Sequence, residues 1–181
     1  MQINRSDTAV VFIDPQNEVL SETGLAWPLV RESLEENNTI ENMERTFKVA
    51  KTHGFEIFIS PHYFYPTDKG WKFNGPLESR LTRSGGPETN DLVLQLRKRK
   101  IDKIILGGML ANMCVESHLR ELLEQGFEVA VVKDATAAPK HPEWGYGYTA
   151  ALINYAFLAH AVLRTDDVVS AIEQRKPGLA A

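Results

Sequence analysis

Cys114 is the only cysteine in the chain, and its neighbours decide what it can do. It lies between Gly107-Gly108 and the helical stretch Val115 to Gln125, where a loop leaving a strand turns into a helix. Free amides and the positive end of a helix dipole favour thiolate at such a place, which makes a nucleophile available near neutral pH. The same amides can hold the oxyanion formed when a thiolate attacks a carbonyl, and the two glycines permit close backbone approach. The competing role is that of a small buried hydrophobe, the usual one for a free cysteine. Asp14 ends an otherwise apolar run, where a carboxylate is costly unless paired or used. It either orients and deprotonates the thiol or caps the loop before Pro15. Asp134 occupies the equivalent place on another run, but the Ala-Thr-Ala-Ala that follows points to capping. His118 falls one turn after Cys114 on the same helix face, so a Cys-His dyad fits the spacing, although a histidine at that depth more often points beneath a site than into it.

His62 follows another apolar run and has no second histidine or carboxylate at ligand spacing, so no metal site is expected. The aromatic residues after it, Tyr63, Phe64, Tyr65, Trp71 and Phe73, suit a pocket wall or lid, with core or subunit interface as the plainer use. Arg97 to Lys100 reads as the solvated end of a helix, set against its negative dipole end.

The elements that must position these groups are legible as pattern. Ala9 to Ile13, Phe55 to Ile59, Ile104 to Leu106 and Val129 to Val132 are short apolar runs, with Ala161 to Leu163 a weaker fifth; apart from Glu56 they do not alternate, as expected of strands buried on both faces. Between them, Ile40, Met43, Phe47 and Ala50 form a helical stripe behind a cap at Asn38, closed by Gly54. Val115, Leu119, Leu122 and Leu123 form a second stripe, ended by Gly126. Leu92 and Leu96 mark a helix starting near Thr89, and Thr165 caps a last one with Val168, Val169 and Ile172 inward. Alternating strands and helices predict an α/β fold: a doubly wound, mainly parallel sheet flanked by helices on both faces, with residues 1–181 as a single domain. Ligands of such sheets bind at the carboxyl ends of the strands, which is where Asp14, His62, Cys114 and Asp134 fall.

Composition narrows the function. The 181 residues carry a net charge of −4 and are 43% hydrophobic, ordinary for a globular chain and unsuited to electrostatic binding of nucleic acid or a membrane surface. The start has no apolar core long enough for a signal peptide, and one thiol suits a reducing compartment, so a cytoplasmic location is expected. The uncharged stretch Trp144 to Leu163 reads as a buried helix running into a strand rather than a membrane span.

Three segments in combination, FIDPQNEV, GGMLANMCVESHLRELLEQGFEVAVVKDATAA and GPETNDLVLQLRKRKIDKIIL, closely resemble the isochorismatase-like cysteine hydrolases, a family that includes nicotinamidases and ureido or carbamoyl hydrolases. The resemblance spans nearly the whole chain. It implies a parallel sheet flanked by helices, a homo-oligomer (dimer or tetramer), a small-molecule substrate, no cofactor, and an Asp-Lys-Cys triad that hydrolyses amides through a thioester. Asp14 matches the aspartate and Cys114 the nucleophile. A cis peptide between Met109 and Leu110 is implied, with the amides of Leu110 and Cys114 aimed at the oxyanion. Gln16 and His62 match positions that line the pocket, to which Tyr63 and Trp71 are added from the aromatic cluster.

Two departures stand out. The metal set of nicotinamidases, an aspartate two residues before a histidine plus a second histidine, is replaced by Ser60 and His62 without a partner. Arg83 stands where the lysine belongs, and the connection from Asn74 to Gly85 is shorter than that of members sharing the GWKF and GPETND anchors. Either the chain is shortened there or Arg83, Lys69 or Lys72 supplies the charge; arginine can hold a thiolate or oxyanion but cannot shuttle a proton. The expected function is cysteine-dependent cleavage of a C–N bond. Isochorismatase-type vinyl-ether hydrolysis and a binding or regulatory homologue without the lysine are the alternatives.

Overall fold

The computed structural model describes residues 1–62 and 91–174. Its strands are β1 (Thr8–Ile13), β2 (Glu56–Ser60), β3 (Lys103–Met109), β4 (Glu128–Ala137), the short pair β5 (Lys140–His141) and β6 (Gly145–Tyr146), and β7 (Ala161–Leu163). Five of them form one parallel sheet in the order β2-β1-β3-β4-β7, while β5 and β6 pair antiparallel apart from it. The helices are α1 (Asn17–Leu20), α2 (Trp27–Asn37), α3 (Thr39–Thr52), α4 (Leu92–Lys98), α5 (Glu116–Glu124), α6 (Gly147–Leu158) and α7 (Thr165–Glu173).

In β1, β3 and β4 the unbroken apolar runs are explained by helices on both faces, whereas the edge strands β2 and β7 are only partly buried, with Ile59 exposed. Val11 and Ile13 of β1, Leu106 of β3 and Val131 of β4 pack with Leu96 of α4, Leu119 and Leu122 of α5 and Tyr155 of α6. On the opposite face Val10, Phe12, Ile105 and Val132 meet Met43 and Ala50 of α3 and Val168 and Ile172 of α7. All six β1 residues are buried, so neither face of that strand tolerates the polar alternation of a half-exposed one. This is the doubly wound α/β architecture expected.

Several local expectations shift. Of the expected α3 stripe, Met43 and Ala50 are buried and Phe47 packs against the core, but Ile40 is 42% exposed, and Thr39, Asn42, Thr46 and Val49 complete the inward face. The polar members bury because each is bonded: Thr39 Oγ1 donates to Thr136 O, Asn42 Nδ2 to Asp134 O, and Thr46 Oγ1 to Asn42 O. Asn38 links α2 and α3 through its left-handed backbone (φ 49°, ψ 40°), and its side chain caps neither helix. Thr165 is the first residue of α7 rather than its cap; Arg164 holds that place, with its N–H donating to the Asp167 carboxylate at 2.9 Å. Gly54 and Gly126 do end their helices with positive φ. The start expected near Thr89 lies outside the described residues. Nothing periodic announced α2, which carries Pro28 in its first turn and packs Val30 and Leu34 against Met109, Leu110 and Ala137.

The stretch Trp144 to Leu163 does become a helix and a strand, but the helix is not buried all round. α6 hides Ala151 and Tyr155 and leaves Ile153 and Phe157 exposed. Among the described residues no helix is long and apolar enough to cross a membrane.

The strand order sets the site. From β1 the chain moves to β2 on one flank and then returns to β3 on the other. Connections therefore leave β1 and β3 in opposite directions, which opens a crevice at their carboxyl ends. Asp14 follows β1, His62 follows β2, and Cys114 follows β3.

Candidate active site

Asp14 and Cys114 meet because β1 and β3 run side by side to their ends, with Ile13 opposite Gly108. Gly108 is required there. Its φ is +116°, and a Cβ on it would stand inside 3.0 Å of the N, C and O atoms of Ile13. The close approach anticipated at Gly107-Gly108 is thus between two strands, one residue before Asp14 and six before Cys114.

Beyond β3 the Met109–Leu110 peptide is cis, matching the implication of the resemblance. Residues Ala111–Val115 form a π-helical turn that runs into α5, with Leu110 as its N-terminal cap. Cys114 is half-buried inside this turn, slightly earlier than a plain helix start. Leu110 and Cys114 both lie at the N-terminal end of the combined helix, where amides are oriented outward. The turn is anchored from the side: Tyr155 Oη, fully buried on α6, donates to Ala111 O at 2.5 Å. Burial pushes the Tyr155 phenol far above its ordinary range, so it remains a donor.

His118 anchors the turn from below. Its Nδ1 lies 2.7 Å from Cys114 O and its Nε2 3.2 Å from Ser60 Oγ. A carbonyl can only accept, so Nδ1 carries the proton and Nε2 accepts from the serine. Burial lowers the His118 pKa, which keeps the ring neutral. The imidazole holds the backbone of Cys114 rather than its sulfur, and the Cys-His dyad gives way to a positioning role. Ser60, bonded to this ring, does not complete the nicotinamidase metal set beside His62.

Asp14 is 7% exposed with φ 48°, a backbone region in which aspartate is among the better tolerated residues. Burial raises its pKa from 3.8 to about 6; a hydrogen bond from the Cys114 thiol, the nearby charge of His62 and a hydrogen bond with the His62 backbone oppose that rise. The carboxylate is therefore poised near neutral pH and touches the thiol it was expected to serve.

His62 is brought in by Gln16. The Gln16 amide donates Nε2–H to His62 O at 2.9 Å and accepts from His62 N at 2.6 Å on Oε1, a two-ended clamp between the loops after β1 and β2. The ligand-bearing atoms of Asp14, His62 and Cys114 all lie within 4.8 Å of one another. Along the chain His62 has no ligand partner at metal spacing, yet the parallel strands bring two donor groups beside it. Its Nε2 is buried without a hydrogen-bond partner among the described residues. Tyr63, Trp71 and Arg83, with Lys69 and Lys72, lie outside the described residues. Asp134 is a structural cap, its Oδ1 accepting from Thr165 N at 2.8 Å and Thr165 Oγ1 at 2.9 Å.

Comparison with known proteins agrees with the fold. The fold resembles that of a cysteine hydrolase from Pseudomonas syringae pv. phaseolicola 1448A, with TM-score 0.77, 20% identity, and coverage of 96% of this chain and 95% of that one. An N-carbamoylsarcosine amidase from Thermoplasma acidophilum gives TM-score 0.63 at 20% identity over 88% of this chain and 97% of that one. In sequence, the uncharacterised isochorismatase family protein YecD of Escherichia coli O157:H7 is 48% identical over 48 residues, a stretch covering only 26% of either chain. The isochorismatase domain matches residues 8–166. The chain belongs to the isochorismatase family and carries its hydrolase fold.

Proposed function

We propose that this protein is a cysteine-dependent hydrolase that cleaves a C–N bond of a small amide, ureido or carbamoyl compound. The observation that carries the reading is the hydrogen bond between the Cys114 thiol and a buried Asp14 carboxylate whose pKa is raised to about 6. A base with a pKa near the working pH both accepts and returns a proton efficiently.

In this mechanism Asp14 takes the thiol proton and the Cys114 sulfur attacks the carbonyl carbon. The oxygen gains the negative charge and faces the Leu110 and Cys114 amides. The tetrahedral intermediate collapses with loss of the C–N bond, and protonated Asp14 gives its proton to the departing nitrogen. Water, deprotonated by Asp14, then attacks the thioester; the acid leaves and the thiol is restored by the same carboxyl. His62, Tyr63 and Trp71 are assigned to the substrate, Gln16 to holding His62, and Arg83 to the charge beside the thiolate. The cysteine hydrolase and the carbamoyl amidase among the structural relatives support the choice of C–N chemistry.

The single domain is assigned to the cytoplasm and to a homo-oligomer, for which exposed Trp144, Ile153 and Phe157 offer apolar surface. Light scattering at micromolar concentration is expected to give at least a dimer mass. The deciding test is ammonia release from a panel of amides, ureas and carbamates, run beside isochorismate, whose turnover is read as loss of the substrate because it contains no nitrogen. Turnover on a C–N substrate, lost in Cys114→Ala, supports the reading. Turnover on isochorismate alone moves it to vinyl-ether hydrolysis, and ligand binding without turnover moves it to a regulatory homologue.

A further inference from the structure

We propose that Asp14, His62 and Cys114 together form a binding site for a thiophilic divalent cation of the zinc class, and that occupancy silences the hydrolase. The site differs from the Asp-x-His plus His set associated with nicotinamidases, which Ser60 does not complete.

The argument begins with donor chemistry. One carboxylate oxygen, one imidazole nitrogen and one thiolate sulfur are three protein ligands of the kinds zinc prefers, and three with an open fourth position is a common zinc arrangement. Zinc bonds of about 2.0–2.3 Å place tetrahedral ligands about 3.3–3.8 Å apart. The three donors stand within 4.8 Å of one another, so the widest separation closes by about 1 Å through side-chain rotation. Their backbones are already fixed: Gln16 clamps His62, His118 and Tyr155 hold the Cys114 turn, and Gly108 sets β3 against Ile13. A site whose anchors are rigid loses less freedom when its donors converge.

The second observation is independent of that proximity. His62 Nε2 is buried and has no hydrogen-bond partner among the described residues. Buried polar atoms in native structures are nearly always bonded, and an exception marks a missing partner such as an ion. A neutral imidazole binds the cation through a nitrogen lone pair, Asp14 binds as carboxylate, and the Cys114 S–H bond breaks as the metal–sulfur bond forms. The proton passes to solvent and no electron changes hands.

Silencing follows because the metal would occupy the sulfur and the carboxylate used for attack and proton transfer. That consequence rests on the cysteine-hydrolase reading; the binding does not.

The experiment titrates the purified, reduced full chain with Zn²⁺, Co²⁺ and Mg²⁺. One equivalent of Zn²⁺ should bind, Co²⁺ should give a thiolate charge-transfer band in the near ultraviolet, and Mg²⁺ should do neither. The band should vanish in Cys114→Ala. Losing outer-shell partners alone costs metal sites 10- to 100-fold, so His62→Ala should weaken affinity by at least about 100-fold. That variant keeps the backbone N–H and C=O that Gln16 clamps, and circular dichroism checks its fold; His62→Gln serves if it is destabilised. Zn²⁺ affinity in the histidine variants within about threefold of the parent would overturn the site, as would failure to bind at micromolar Zn²⁺. Turnover with and without Zn²⁺ is read separately. Uptake without inhibition overturns the silencing alone, and an inactive protein that still shows the histidine-dependent cobalt band overturns the hydrolase reading but not the site.

Discussion

Two carboxylates lie near the carboxyl ends of β1 and β4, strands separated by β3, and they have opposite surroundings. Asp134, in the irregular stretch of β4, is met by donors: the Thr165 amide and hydroxyl bond one oxygen and Arg164 approaches the other at 3.9 Å. Asp14 is buried beside a thiol, and burial outweighs its hydrogen bonds so that its pKa climbs to about 6. A carboxylate whose charge is fully answered holds structure together. One left short of donors is reactive, because its proton can move at ordinary pH. Position at the sheet rim is shared, so the difference lies in what packs there: the first turn of α7, which follows β7, supplies donors to Asp134, whereas Asp14 is itself a left-handed residue set beside the thiol.

The largest effect expected is at the partner of Asp14. Cys114→Ala should abolish turnover on any substrate the panel identifies while leaving the circular dichroism spectrum and melting profile close to the parent. Turnover at the parent rate would show that Asp14 serves some other group. Next come the carboxylates. Asp14→Asn keeps shape and tolerates the left-handed backbone, and its loss of the proton acceptor should lower kcat by about 10²- to 10⁴-fold. Asp134→Ala should change kcat by less than about threefold once folded. Equal losses at both would erase the distinction.

The pH profile sharpens the same contrast. With Asp14 ionising at about 6, kcat/KM should fall about tenfold per unit as pH drops below that value, because the base is then protonated. In Asp134→Ala the limb should stay in place. A limb that moves with Asp134, or persists in Asp14→Asn, would assign it to another group.

Much of this arrangement is legible in sequence because it depends on local pattern. Apolar runs mark the strands, Asp14 announces itself as a carboxylate at the end of such a run, and Cys114 as the lone thiol where a loop turns into a helix. What escapes is set by topology. His62 seems alone along the chain, yet β2 beside β1 and β1 beside β3 bring it to Asp14 and Cys114. The Tyr155 tether to Ala111 joins residues far apart in sequence, and nothing in either segment signals it. The polar part of the α3 face escapes because Thr39, Asn42 and Thr46 bury by bonding to backbone carbonyls, a reward invisible to an apolar stripe.

Stability supplies the smallest effect, and it tests the comparison without a substrate. The folded pKa of Asp14, about 6, lies above its ordinary 3.8, so the native state binds the proton more tightly than the unfolded chain does. Its contribution to stability is complete below about pH 4 and is lost as pH rises through about 6, leaving at neutral pH an ionised buried group that costs at most about 3 kcal/mol. Asp14→Asn removes that cost, so the variant should melt higher than the parent at pH 7 and the gap should shrink below pH 4. Asp134→Ala should move the other way: the Thr165 amide and buried hydroxyl lose their acceptor, which costs about 1–3 kcal/mol. Opposite signs measured by thermal denaturation at pH 7 support the division between a strained, reactive carboxylate and a structural one. If Asp14→Asn also destabilises, the bonds from Cys114 and the His62 backbone outweigh burial, and Asp14 joins Asp134 as a cap.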